Sequence, residues 1–133
     1  MNETYFAQKL NIKMMSKNSF FKTLLVVQTM GVLAYTFIAF QKEGATLFGV
    51  FLVNIKSLTW TGQFNLDFLC YLTLSGLWIM WRNKFTGKSI LIGTFAMILG
   101  IVIFGPYLLW LIFKENGDLK RVLVGEKQKK NLS

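Results

Sequence analysis

Hydrophobic and polar residues occur in blocks along this chain, and three of the apolar blocks are long. The longest covers residues 89–113, which carry no charge and lie between Lys88 and Lys114. Two shorter blocks cover residues 23–40 and 64–81. A helix needs ~20 mostly apolar residues to cross the hydrocarbon core of a bilayer. The pattern therefore predicts an all-α integral membrane protein with three transmembrane helices, one in each block.

A shorter apolar stretch lies between the first and second blocks, at about residues 45–55. It is too short to span a bilayer. Its large side chains recur at i, i+4 spacing, which predicts a short amphipathic helix lying at the membrane interface. Trp60 follows it, as is typical of the headgroup region. A shallow re-entrant helix, or a fourth span running to about Trp60, stays open as an alternative.

The two ends of the chain are basic and polar. Within residues 1–22, lysines recur every four residues from Lys9 to Lys17. On a helix these would form a basic stripe beside a narrow apolar one, a pattern that fits an interfacial segment and equally a solvated tail. We expect the C-terminal tail, residues 114–133, to be loosely ordered. The transmembrane domain is accordingly assigned to residues 23–113.

Composition agrees with membrane insertion and narrows the chemistry. Hydrophobic residues make up 53% of the chain, and 15 Lys and Arg against 6 Asp and Glu give a net charge of +9. The cations flank the apolar blocks, so anionic lipid headgroups rather than nucleic acid are the expected partner. The sequence has no histidine and one cysteine, Cys70. No disulfide, no metal and no cofactor are therefore expected.

The second block carries the most chemically suggestive residues. Asp67 is the only acid within any of the apolar blocks, and four further residues share its helical face at spacings of three or four. These are Tyr71, Ser75, Trp78 and Arg82. Because Asp67 is near the start of its helix, it can anchor the helix at the headgroup boundary. An ion or proton site, or a contact with a partner, are the alternatives.

Small residues and a proline mark the third block. Gly93, Ala96 and Gly100 have the spacing of close helix–helix contact. Pro106 is expected to bend the helix two-thirds of the way along. The sequence contains no phosphate-binding glycine loop, no paired carboxylates and no metal-ligand spacing, so nothing in it indicates an enzyme.

The order of these features resembles a family of small bacterial membrane proteins known only as a domain of unknown function. The resemblance covers roughly residues 23–113 and rests on LFGVFLVN, on Asp67 with Leu69, and on Pro106 within FGPYLL. It implies the three-span layout and no established activity. The family often has an acid before the basic turn, where this chain has Trp81 followed by Arg82.

These features predict a small structural or accessory protein of the bacterial inner membrane, multi-pass, packed against copies of itself or a larger membrane complex. The alternative is an oligomeric carrier or channel for an ion or small lipophilic molecule, with Asp67, Asn54 and Lys56 at its mouth and Pro106 as a gate. With three spans, 7 Lys and Arg lie on the N-terminal side and 8 on the other. The positive-inside rule then sets no orientation, and the first helix alone favours a cytoplasmic N-terminus with the C-terminal tail outside.

Overall fold

Helices account for all the regular secondary structure in the described part of the chain. The computed structural model describes residues 2–125, and of residues 10–17 it describes the backbone alone. Over those residues the chain is all-α, as predicted. The helices are α1 Asn2–Glu43, α2 Leu47–Lys56, α3 Trp60–Arg82, α4 Gly87–Leu99, α5 Ile101–Lys114 and α6 Leu119–Val124.

The N-terminal segment and the first predicted transmembrane helix form one continuous helix, α1, of 42 residues. Among the described helices, only its segment Asn18–Glu43 is both long enough and apolar enough to span a membrane. The side chains of Lys13 and Lys17, which belong to the predicted basic stripe, lie outside the described residues. So do residues 126–133 of the C-terminal tail.

The short helix predicted at about residues 45–55 is present as α2. It ends at Lys56, and a turn at residues 57–59 separates it from α3. A fourth span running on to Trp60 therefore does not form. α2 packs on the start of α3, where Gly62 lies so close to the carbonyl of Asn54 that a side chain at Gly62 would overlap it.

The third apolar block departs most from its prediction. A single helix over residues 89–113 is wrong, because α4 ends at Leu99 and α5 begins at Ile101. Gly100 between them has φ 66° and ψ −134°. Glycine adopts this backbone conformation freely, whereas a residue with a Cβ is strained there. The chain turns at Gly100, and Pro106 lies inside α5.

α4 runs antiparallel to α3. Gly93 lies against Gly76, where a Cβ on Gly93 would come within 2.7 Å of the Gly76 carbonyl oxygen. Further along, Gly100 lies beside Leu72. Ala96 is fully buried between these two positions. The small residues that were predicted to make close contacts do so within this chain.

α5 then returns along α3 in the opposite direction to α4. The Trp78 and Phe104 rings meet edge to face with centroids 5.8 Å apart, and Asn83 Nδ2 donates to Tyr107 Oη at 2.8 Å. Residues later in α5 contact residues later in α3, so α5 runs parallel to α3 and antiparallel to α4. α4 and α5 therefore form a helical hairpin that turns at Gly100. The start of α4 and the end of α5 thus lie at the same end of the molecule.

α1 packs antiparallel against α5. Thr29 lies in contact with Gly105, and Asn18 Nδ2 donates to the Gly117 carbonyl oxygen at 2.8 Å. A small core forms between α1, α5 and α6. It consists of Leu25, Leu108, Leu111, Ile112 and Val122.

Apolar side chains are mostly on the outside of the described molecule. Eight hydrophobic residues are buried, whereas 38 large hydrophobic residues are exposed. The second half of α1 is an example, with Tyr35 76% and Phe37 64% exposed. The fold therefore buries few of its apolar side chains against each other.

Candidate functional site

Arg82 ends α3 and organises the polar end of the molecule. Its side chain is buried and donates to two backbone carbonyls of α6, from Nε to Val122 O at 2.5 Å and from Nη2 to Arg121 O at 3.0 Å. The last carbonyls of a helix have no partner within the helix, and the negative end of the helix dipole favours a cation there. Arg82 therefore caps the C-terminus of α6.

Glu115 forms an ion pair with the Arg82 guanidinium. Its Oε1 lies 3.5 Å from Arg82 Nη2, and both side chains are nearly inaccessible to solvent. A buried ion pair is costly to break from one side, because the remaining charge stays in a medium that solvates it poorly. Glu115 was not among the predicted site residues, since it stands in a polar stretch that was expected to be a loose tail.

Trp78 lies one turn before Arg82 on α3 and also contacts α6. Its Nε1 donates to the Leu123 carbonyl at 3.2 Å, and its ring packs against Phe104 and Tyr107. Trp78 and Arg82 together bond three successive carbonyls of α6. The segment expected to be loosely ordered is thus a docked helix, with Val122 only 2% exposed.

A polar cavity of about 580 Å³ opens beside this cluster, and we call it the basic cleft. Four cationic residues and one carboxylate lie in its wall, together with amide and hydroxyl groups. Its lining residues are Arg82, Asn83, Lys84, Thr86, Lys114, Glu115, Asn116, Arg121 and Gly125. The cleft thus carries an excess of positive formal charge.

An apolar cavity of about 420 Å³ lies on the other side of α6. Its lining residues are Phe21, Trp78, Phe104, Leu108, Leu119, Val122 and Leu123. α6 separates the two cavities, with Arg121 on the cleft side and Val122 on the apolar side. One short helix therefore presents a cationic surface to one cavity and an apolar surface to the other.

Two residues at the cleft have left-handed backbone conformations that glycine normally occupies. Lys84, with φ 55°, follows α3, and Asn116, with φ 52°, follows α5. In each case the amide of the following residue donates to a carbonyl in the last turn of the helix. Phe85 N donates to Met80 O at 2.8 Å, and Gly117 N donates to Ile112 O at 2.9 Å. This is the Schellman arrangement, in which glycine is the usual residue at the left-handed position.

The five residues predicted to share one face of α3 do not act together. Trp78 and Arg82 contact α5 and α6. The Ser75 hydroxyl donates to the Leu72 carbonyl of its own helix at 2.7 Å. Asp67 and Tyr71 are exposed, and the described residues include no hydrogen-bond or ion-pair partner for the Asp67 carboxylate.

The remaining predicted site residues lie away from the basic cleft. Asn54 is half-buried at the contact of α2 with α3, and Lys56 is exposed at the end of α2. Pro106 is exposed on α5. Within the described residues, no group of three or more His, Cys, Asp or Glu side chains is placed to hold a metal ion.

Comparison of the chain with protein-family models, with curated proteins and with solved structures finds no match in any of the three. The resemblance to a family of small bacterial membrane proteins therefore stays a prediction.

Proposed function

We propose that this chain is a small structural or accessory protein of the bacterial inner membrane. The observation that carries the proposal is the excess of exposed over buried large hydrophobic side chains, 38 against 8 buried hydrophobic residues. At ~25 cal/mol for each Å² of apolar surface, such exposure is strongly unfavourable in water. In a bilayer, lipid tails cover these side chains. The hydrocarbon core offers no water, so backbone N–H and C=O groups must be hydrogen-bonded within the protein, as they are within helices.

In the proposed arrangement α1 and α3 cross the bilayer and the α4–α5 hairpin enters it only part of the way. α1 qualifies by length and composition over Asn18–Glu43. α3 has 23 residues, or about 35 Å at 1.5 Å per residue, which also suffices for the core. α4 and α5 have 13 and 14 residues, about 20 Å each, so neither arm crosses a core of about 30 Å.

The distribution of cations supports a cytoplasmic location for both described ends of the chain. With the hairpin folded back at Gly100, eight of the Lys and Arg whose side chains are described lie on one side, and two lie on the other. The first group is Lys9, Lys22, Arg82, Lys84, Lys88, Lys114, Lys120 and Arg121. Lys42 and Lys56 form the second. The positive-inside rule places the larger group in the cytoplasm.

The second half of α1 is the surface best suited to pack against another chain. Gly76 and Gly93 are filled by contacts within this chain, whereas Gly31 has no neighbouring atom within 4 Å of where a Cβ would be. Ala34 lies three residues on. Small residues allow close approach of helices in membranes, so this open notch supports association with a second copy or with a larger membrane complex.

Insertion and topology are tested together with single cysteines in a Cys70→Ala background. We expect the chain to stay in membranes washed with alkaline carbonate. In intact spheroplasts, a membrane-impermeant maleimide should label Ala45→Cys and leave Lys120→Cys unlabelled. Labelling of both positions would instead indicate a continuous span through residues 89–113. Release by carbonate would refute membrane insertion altogether.

Association is tested by disulfide cross-linking in the same background. Gly31→Cys should give a covalent dimer, while Leu33→Cys, about 200° around the helix, serves as the control and should not. If neither cross-links and the particle extracted in mild detergent has the mass of one chain, 15.3 kDa, with no other chain bound, the accessory role is refuted.

The second candidate function is an oligomeric carrier or channel for an ion or small lipophilic molecule. The observation that favours it is the exposed Asp67 carboxylate on a helix proposed to lie in the bilayer. An ionisable group at membrane depth is costly and is usually retained for transport or proton transfer. Pro106, the predicted gate, lies inside α5 and is exposed.

A further inference from the structure

The basic cleft and the apolar cavity share α6 and the last turn of α3 as a common wall. Arg82 and Arg121 line the cleft, whereas Trp78 and Val122 line the apolar cavity. Cations at helix ends lie at the level of the lipid headgroups, where an anionic amphiphile presents its phosphate while its apolar chain stays in the bilayer. We propose that the basic cleft binds the phosphate group of an anionic amphiphile.

The cationic groups available to a ligand are the lysines at the rim of the cleft. Arg82 is already engaged by two carbonyls of α6 and by Glu115, so it forms the floor of the cleft. Lys84 and Lys114 are both exposed. The Lys114 amine lies 4.8 Å from the centre of the Trp110 ring, one turn earlier on α5.

The electrostatic balance of the cleft favours an anion. The Glu115 carboxylate is paired with Arg82 and buried, so it opposes a phosphate weakly. The C-termini of α3, α5 and α6 end at the cleft, and each contributes about half a negative charge. Asp118 is a further acid, 3.9 Å from Arg121. Four cationic side chains still exceed these negative contributions, and the N-terminus of α4 beside Thr86 adds a positive end.

The experiment uses the full chain in detergent and compares two matched pairs of lysine substitutions. Lys84→Gln with Lys114→Gln removes two cations from the cleft. Lys42→Gln with Lys56→Gln removes two exposed lysines at the ends of helices on the other side. Binding of phosphatidylglycerol, with phosphatidylcholine as the zwitterionic control, is followed by native mass spectrometry. Circular dichroism verifies that each variant keeps its helical content, and the two cleft substitutions are also made singly.

We expect the cleft pair to weaken phosphatidylglycerol binding roughly tenfold, the scale of losing charge-assisted contacts to a phosphate. The control pair should bind as the unmodified chain does, and phosphatidylcholine should bind more weakly than phosphatidylglycerol to all of them. Equal losses in the two pairs, unchanged binding in the cleft pair, or equal binding of the two lipids would overturn the proposal.

A titration with inorganic phosphate distinguishes the source of the phosphate group. If free phosphate displaces phosphatidylglycerol, and the displacement depends on Lys84 and Lys114, the site recognises the phosphate group alone. Binding of lipid without such competition supports a lipid phosphate. The lipid source rests on the proposed membrane insertion, but the phosphate titration does not. The two proposals can therefore fail separately. If carbonate releases the chain from membranes but phosphate binding still depends on Lys84 and Lys114, membrane insertion is refuted and the phosphate site is supported.

Discussion

At the scale of single residues, the Arg82 side chain joins parts of the chain that are far apart in sequence. Its guanidinium bonds Glu115 and two carbonyls of α6, at separations of 33 to 40 residues. Arginine suits this position, because its planar fork of donors reaches several acceptors at once and lysine offers no such geometry. The side chain is buried while it does so.

We predict that Arg82→Gln destabilises the fold by about 3 kcal/mol, because it leaves the Glu115 carboxylate buried without its cation. The measurement is the free energy of unfolding in mixed micelles of SDS and a mild detergent, followed by circular dichroism. Lys84→Gln is the control, since it removes a cation two residues away that is exposed. Arg82→Lys should recover part of the loss. Equal unfolding of Arg82→Gln and Lys84→Gln would contradict the proposed role.

At the scale of helices, Gly100 decides whether the third apolar block is one helix or two. Residues on both sides have strong helical and apolar character, so a continuous helix is the local default. The conformation of Gly100, with φ 66° and ψ −134°, lets the chain reverse, and α5 then packs against α1 and α3. The hairpin therefore depends on a single position without a side chain.

We predict that Gly100→Leu destabilises the hairpin by about 1–3 kcal/mol and shifts residues 89–113 toward one continuous span. This change would move residue 120 across the membrane. The measurement is the labelling of Lys120→Cys from outside intact spheroplasts, which should rise in the Gly100→Leu background. Gly87→Leu is the matched control, because a Cβ there meets no atom within 4 Å. Identical labelling in the two backgrounds would contradict the role of Gly100.

At the scale of the whole molecule, exposure and charge point to the same arrangement. Large apolar side chains cover the outside, and most of the cations with described side chains lie on one side through the contacts of Arg82 with α6 and of Asn18 with Gly117. A straight third span would divide the same cations equally between the two sides. The folded-back hairpin thus gives the molecule a charge asymmetry that its linear order does not have.

The carrier hypothesis is also tested at this scale. If Asp67 handles an ion, Asp67→Asn in proteoliposomes should abolish flux, since the amide cannot carry the negative charge. Assembly, measured by the mass of the detergent-solubilised particle, should stay the same. Glu43→Gln is the control, because it neutralises an exposed acid at the end of α1. Unaltered flux in Asp67→Asn would remove this function.

Much of the local structure could be predicted from residue patterns alone. The helix around residues 45–55, the long apolar helix over residues 23–40 and the small-residue contact at Gly93 all follow from side-chain spacing along one helix. Glu115 could not be found in this way, because a buried acid and a solvated one have the same local sequence. The break at Gly100 was not predicted, and residues 89–113 were expected to form one helix. In sequence, a glycine that permits close packing is indistinguishable from one that reverses the chain.

The sequence by itself determined that the described chain is helical and outwardly apolar, because helix formation and hydropathy depend on residues within a few turns of each other. Only the tertiary structure decided that α4 and α5 fold back, that α6 docks on Arg82, and that most of the described cations lie at one end. These features depend on contacts such as Asn18 with Gly117, 99 residues apart. No local pattern records which distant groups will share a buried space.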